Sequence, residues 1–177
     1  MALRFSSLVL LAVSSFALPQ LAVAQSPRDY ELCEAVAGDP EEAVDACTRI
    51  IRSGRHSGAA LGVAYMNRGH HSGRKQDIEG AIQDLNEGLK LNPGSAQSWT
   101  NRGAMYARKR DFDRAIADHT RAIELDRNQR DAWYNRGVAY ERKGDKQRAI
   151  ADYRRALEVN SNDGDARKAL QELEGGR

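Results

Sequence analysis

Four histidines, two cysteines and two recurring rows of charge are the groups in this sequence with chemistry to offer. His70 and His71 are neighbours, and neighbours on a helix point in different directions. His56 lies in the stretch Gly54-Arg55-His56-Ser57-Gly58, whose glycines mark a loop. No His-Glu-x-x-His run and no Cys/His group at zinc spacing accompanies them, so no metal site is expected. There is neither a glycine-rich phosphate loop nor a nucleophile elbow. The pair Glu41-Glu42 fits the first turn of a helix, where acids are favoured. No catalytic set and no cofactor are expected. Cys33 and Cys47 are separated by 14 residues, and two antiparallel helices joined near Asp39 could bring them together. A bridge there would add roughly 3 kcal/mol by restricting the unfolded chain. The alternative is two buried free thiols. Without a Cys-x-x-Cys run, a redox-active pair is not indicated.

The rows of charge say more. Arg68, Arg102 and Arg136 recur at steps of 34 residues, and so do Asp84, Asp118 and Asp152. One reading is a structural Arg–Asp pair that fixes helix register, because a buried arginine is rarely left unpaired. The other is an arginine stripe that binds a ligand. Each arginine sits inside a longer phrase: Asn67-Arg68-Gly69, Asn101-Arg102-Gly103 and Asn135-Arg136-Gly137, preceded by Tyr65, Trp99 or Trp133. Ala81-Ile82, Ala115-Ile116 and Ala149-Ile150 keep the same register, giving three gapless units, 62–95, 96–129 and 130–163. A fixed period of this length signals a repeat architecture.

The elements that must position these groups are helices. In each unit apolar residues fall at three-to-four spacing in two segments. In 130–163 the first segment carries Trp133, Gly137 and Tyr140, and the second Ala149, Ile150, Tyr153, Ala156 and Leu157. The short turn Lys143-Gly144-Asp145 makes the two antiparallel neighbours. One pair cannot bury its own apolar stripe, but stacked pairs can. The expected fold is all-α, a solenoid of antiparallel helix pairs. Residues 164–177, with Ala166, Ala169, Leu170 and Leu173 at helical spacing, read as a C-terminal capping helix and tail. Residues 25–61 read as a degenerate N-terminal pair acting as a cap. Asp39-Pro40 there is a helix start, and Gly54 to Gly58 is expected to loosen the junction.

The units resemble the tetratricopeptide repeat family. Unit 96–129 supplies Trp99, Gly103, Tyr106, Ala115 and Ala122, and unit 130–163 supplies Trp133, Gly137, Tyr140, Ala149, Tyr153 and Ala156. Unit 62–95 supplies Tyr65, Gly69, Ala81 and Pro93 but departs at Ser72, Leu85 and Gly88, and His119 replaces an aromatic in the second unit. The resemblance implies a superhelix whose concave face is lined by the first helix of each pair. On this sequence that face holds Met66, Asn67, His70 and Arg74; then Thr100, Asn101, Ala104 and Arg108; then Tyr134, Asn135, Val138, Glu141 and Arg142. Asparagine offers both a donor and an acceptor to a peptide backbone, and arginine suits carboxylates. Lys75, Lys109 and Lys143 follow the arginines and extend a positive edge, unless the charge only solvates helix ends. Family members that clamp a chaperone tail carry lysine, and asparagine or arginine, where this chain has Met66 and His70, Thr100 and Ala104, Tyr134 and Val138. That clamp is therefore not expected.

The resemblance implies a non-enzymatic module that binds a peptide or partner protein on its concave face, an acidic partner included. The alternative is a structural, self-associating component of an envelope or secretion assembly, which leaves a homo-oligomer open. The formal net charge of +2 is too small to imply nucleic acid. Residues 1–24 read as a secretory signal peptide: Arg4, an apolar run from Leu8 to Leu18, then the small residues of Ala22-Val23-Ala24. The alternative is a membrane anchor, but the run falls short of the roughly 20 residues that span a bilayer, and no second apolar stretch is long enough to give a transmembrane segment after cleavage. The expected location is periplasmic or secreted.

Overall fold

The computed structural model describes residues 26–175, and the leader expected over 1–24 lies outside them. The described residues form nine α-helices and no strand. Four helix pairs follow one another: α1 (Pro27–Glu34) with α2 (Pro40–Arg52), α3 (Gly58–Arg74) with α4 (Ile78–Leu91), α5 (Ala96–Arg108) with α6 (Phe112–Leu125), and α7 (Arg130–Arg142) with α8 (Lys146–Val159). A last helix, α9 (Gly164–Gly175), packs on α8 and buries Ala166 completely.

Every second helix of a pair starts on an aspartate. The carboxylates of Asp39, Asp77, Asp111 and Asp145 accept from the backbone N–H of Glu41, Gly80, Arg114 and Arg148 at 2.8, 2.9, 3.1 and 3.1 Å. Such a cap satisfies one of the orphan donors of a helix start and is worth about 1 kcal/mol. Just before three of these caps the chain reverses through one left-handed residue: Gln76 (φ 70°), Arg110 (φ 62°) and Gly144 (φ 83°). The left-handed residue ends one helix and frees the next to fold back.

Small residues set how closely the helices of a pair approach. A Cβ on Gly137 would lie 2.8 Å from the Tyr153 ring, and one on Gly103 2.7 Å from the His119 ring. Ala81, Ala115 and Ala149 are fully buried. The side chains of the second helix thus drop onto the bare backbone of the first.

The first pair is held differently. Cys33 and Cys47 form a disulfide between α1 and α2 with the Cα atoms 4.9 Å apart, so the free-thiol alternative does not apply. Asp29 and Arg49 add an ion pair at 2.6 Å. Helix α3 begins at Gly58 and not at 62, and its 17 residues exceed the 13 of α5 and α7 by about one turn. The junction at Gly54–Gly58 is also tied, because the Tyr30 hydroxyl and His56 Nε2 lie 2.9 Å apart.

The first helices of successive pairs touch, α1 on α3, α3 on α5 and α5 on α7, whereas the second helices stand further apart. The stack therefore bends with its first helices inside. No described helix is long and apolar enough to cross a membrane.

Candidate functional site

Between the pairs runs a row of guanidiniums. Arg68, Arg102 and Arg136 each donate two parallel hydrogen bonds, at 2.7 to 2.8 Å, to Asp84, Asp118 and Asp152 of their own pair. A third bond from each reaches the preceding pair, at Thr48 (3.2 Å), Asn86 (2.7 Å) or Thr120 (3.0 Å). The same guanidiniums lie over Tyr65, Trp99 and Trp133, at 5.5, 4.7 and 4.9 Å from the ring centroids. Planar, bidentate pairing of this kind is specific to arginine. The headgroups are committed to holding pair to pair and do not form a ligand-binding stripe.

The turn edge of the array is tied as well. Lys75 pairs with Glu41 at 2.8 Å, and Lys109 and Lys143 make the corresponding pairs with Glu79 and Asp113. Arg74 donates to the Gly38 carbonyl at 2.8 Å. Arg108 donates to the Gly73 carbonyl at 2.7 Å and also to the side-chain oxygen of Gln76. Each contact crosses from one pair to the one before it. This corrects the expected continuous positive edge: the lysine charges are offset by acids, and Arg74 and Arg108 are docked on the preceding turn.

Residues 96–129 and 131–163 match the family model described as the tetratricopeptide repeat. Two successive stretches of this chain are therefore similar to tetratricopeptide repeats. No curated protein sequence matches it. Among solved structures it is similar to the first TPR domain of Spaghetti (RPAP3) bound to the HSP90 peptide SRMEEVD, at 25% identity and a TM-score of 0.66, over 70% of this chain and 98% of that one. The Arabidopsis OM64 TPR domain is similar at 25% identity and a TM-score of 0.66, over 67% of this chain and 98% of that one. MamA, at 21% identity and a TM-score of 0.70, over 78% of this chain and 79% of that one, shares the fold.

The inner face of the repeats differs from the expected row at two places. Met66 is only 6% exposed, and its Cγ lies 2.6 Å from where a Cβ on Gly88 would stand. Gly88 takes the place that Ala122 and Ala156 hold in the later repeats, and Met66 fills the space it leaves. Thr100 is 3% exposed, and its hydroxyl donates to the Ala96 carbonyl at 3.1 Å. Neither side chain is open to a partner. Asn67, Ala104, Tyr134, Asn135 and Val138 are half-buried. Asn101 is also half-buried, and its side-chain oxygen accepts from Gln97 at 2.9 Å.

His70 is half-buried against the His71 ring, 5.3 Å between centroids, and burial followed by the charges of His71 and Arg74 lowers its pKa. His71 is buried with Nε2 3.1 Å from the carbonyl of the disulfide-bonded Cys33. On the last repeat, Tyr134 leans on Tyr153 at 5.6 Å, and the Tyr153 hydroxyl donates to Glu141 at 2.6 Å. Burial first, then that bond to a carboxylate, holds the Tyr153 phenol far above its ordinary range. Glu141 thus steadies the core of its own repeat.

On the opposite side, a concavity of about 760 Å³ opens between Tyr65, Pro93 and Trp99, floored by Arg68, Asp84 and Arg102. Its charges are already paired, Arg68 with Asp84, Lys90 with Glu87, and Arg102 with Asp118 outside it. No group of three or more His, Cys, Asp or Glu among the described residues could hold a metal ion. Sequence reasoning passed over the third arginine partner and the acids that pair with the lysines. Asn86 breaks the row that Thr48 and Thr120 begin and end, which hides their shared role, whereas Glu41, Glu79 and Asp113 share a charge at matching repeat places.

Proposed function

We propose that the chain is a non-enzymatic interaction module that holds a peptide or partner protein against the inner face of its first helices, in the cell envelope. One observation carries the reading. The array spends its arginine–aspartate pairs on internal cohesion, while Asn67, Asn135, Tyr134 and Val138 stay partly open on the inward-bent side. Open amides beside apolar side chains suit an extended or helical peptide segment. The similar RPAP3 domain is bound to an HSP90 peptide, which supports peptide binding on this architecture. The envelope location rests on the leader pattern of residues 1–24.

A photoreactive amino acid placed at Asn135 or Val138 in the exporting cell tests this. The expected result is a discrete adduct with a second protein. Adducts from exposed Ala117 on α6 and none from α7 would sink the inner-face reading. Adducts with further copies of the same chain alone would favour self-association.

A further inference from the structure

We infer that Arg110 and Arg142 form a carboxylate-binding subsite for an acidic segment of a protein partner. The inference rests on the protein-binding reading above and names the chemistry of that partner. A step of 34 residues carries Arg108 onto Arg142 and Gln76 onto Arg110. In the earlier instance the Arg108 guanidinium is held by the Gln76 side-chain oxygen and the Gly73 carbonyl. In the later one the accepting amide has become a second guanidinium. Gln76 and Arg110 share the left-handed backbone, at φ 70° and 62°, so both side chains leave their turns in the same sense. By that equivalence, the place that offers Arg108 an acceptor offers Arg142 a cation.

Neither Arg110 nor Arg142 has a side-chain hydrogen bond or ion pair among the described residues, and both are exposed. The nearby carboxylates are taken: Asp111 by Arg114, Asp113 by Lys143, Asp145 by Arg148 and Glu141 by the Tyr153 hydroxyl. Two guanidiniums at facing places of successive turns repel, and a carboxylate that accepts from both removes the repulsion and gains charge-assisted bonds. Lys109 and Lys143 on the same edge are already offset by Glu79 and Asp113, and Arg108 is held by two neutral acceptors, which leaves Arg110 and Arg142 as the two arginines of these turns with no side-chain partner among the described residues. That matches one or two acidic side chains, and it is far less than the stripe of cations that tracks a phosphodiester backbone.

The test is fluorescence anisotropy of a labelled hexaglutamate, blocked at both termini, with the purified chain at low salt. R110Q, which restores the glutamine of the preceding turn, and R142Q should each weaken binding roughly tenfold and flatten its salt dependence. R52Q removes the same charge from an exposed arginine on α2 with no side-chain partner among the described residues, and should change binding by less than about twofold. R110Q should also melt no lower than the parent, because Arg142 then regains an acceptor. Wild-type affinity in R110Q, an equal loss in R52Q, or no binding by the parent chain would each overturn the subsite. Adducts at Asn135 and Val138 do not depend on these results, so the protein-binding reading stands or falls separately.

Discussion

His119 occupies a slot where its neighbours in the array place Leu85 and Tyr153. It is fully buried on Gly103, and neither ring nitrogen has a hydrogen-bond partner. Burial, reinforced by the charge of Arg136, lowers its pKa from 6.5 to about 4. A base with a depressed folded pKa contributes stability that is complete above its unfolded pKa and is lost as pH falls. The window here runs from about 6.5 down to about 4, with up to about 3 kcal/mol at stake. Urea titrations at stepped pH should show that slope, and H119F should flatten it while raising stability at neutral pH. Arg110 invites a second substitution. A non-glycine residue in the left-handed region costs about 1 kcal/mol or more, and Gly144 shows what the same turn accepts without strain. R110G should therefore stabilise the fold by roughly 1 kcal/mol in urea unfolding, at the expense of the anion subsite.

Between helices, the two kinds of ion pair differ in worth because they differ in burial. The side chains of Arg102 and Asp118 are 16% and 7% exposed, whereas those of Lys109 and Glu79 are 36% and 66% exposed. D118A strands a guanidinium in the interior and should cost about 3 kcal/mol. E79A should cost about 0.5 kcal/mol or less. Equal losses in paired denaturation curves would contradict the burial argument. The disulfide acts on one end only. Helices in such an array contact near neighbours alone, so a C33S/C47S double variant should lose hydrogen-exchange protection in α1 and α2. Protection in α7 and α8 should stay near the parent value.

At the scale of the whole molecule the array ends on α9, which covers the last apolar face. Removing residues 164–177 uncovers the α8 surface against which Ala166 packs. The expected outcome is a lower melting temperature together with concentration-dependent mass in light scattering, as uncapped repeats stick to one another. A truncated chain that stays monomeric with an unchanged melting temperature would show that α9 is not a cap.

Period and residue type alone determined the helix pairs, their gapless stacking and the all-α class, because each repeat writes the same small and apolar residues into the same contacts. The recurrence of Arg102 and Asp118 was legible for that reason, and so was the aromatic slot that His119 fills. Only the tertiary structure decided the fate of the groove row. Met66 turns inward because Gly88, from another helix, leaves it room, and Arg108 is docked on Gln76 and Gly73, whereas Arg142 has no such side-chain bond among the described residues. The extra turn of α3 was equally hidden, since a helix start depends on where its neighbours let the chain begin to pack. A side chain's availability to a partner is set by what faces it across a pair of helices, and that neighbour lies some 16 to 35 residues away in sequence.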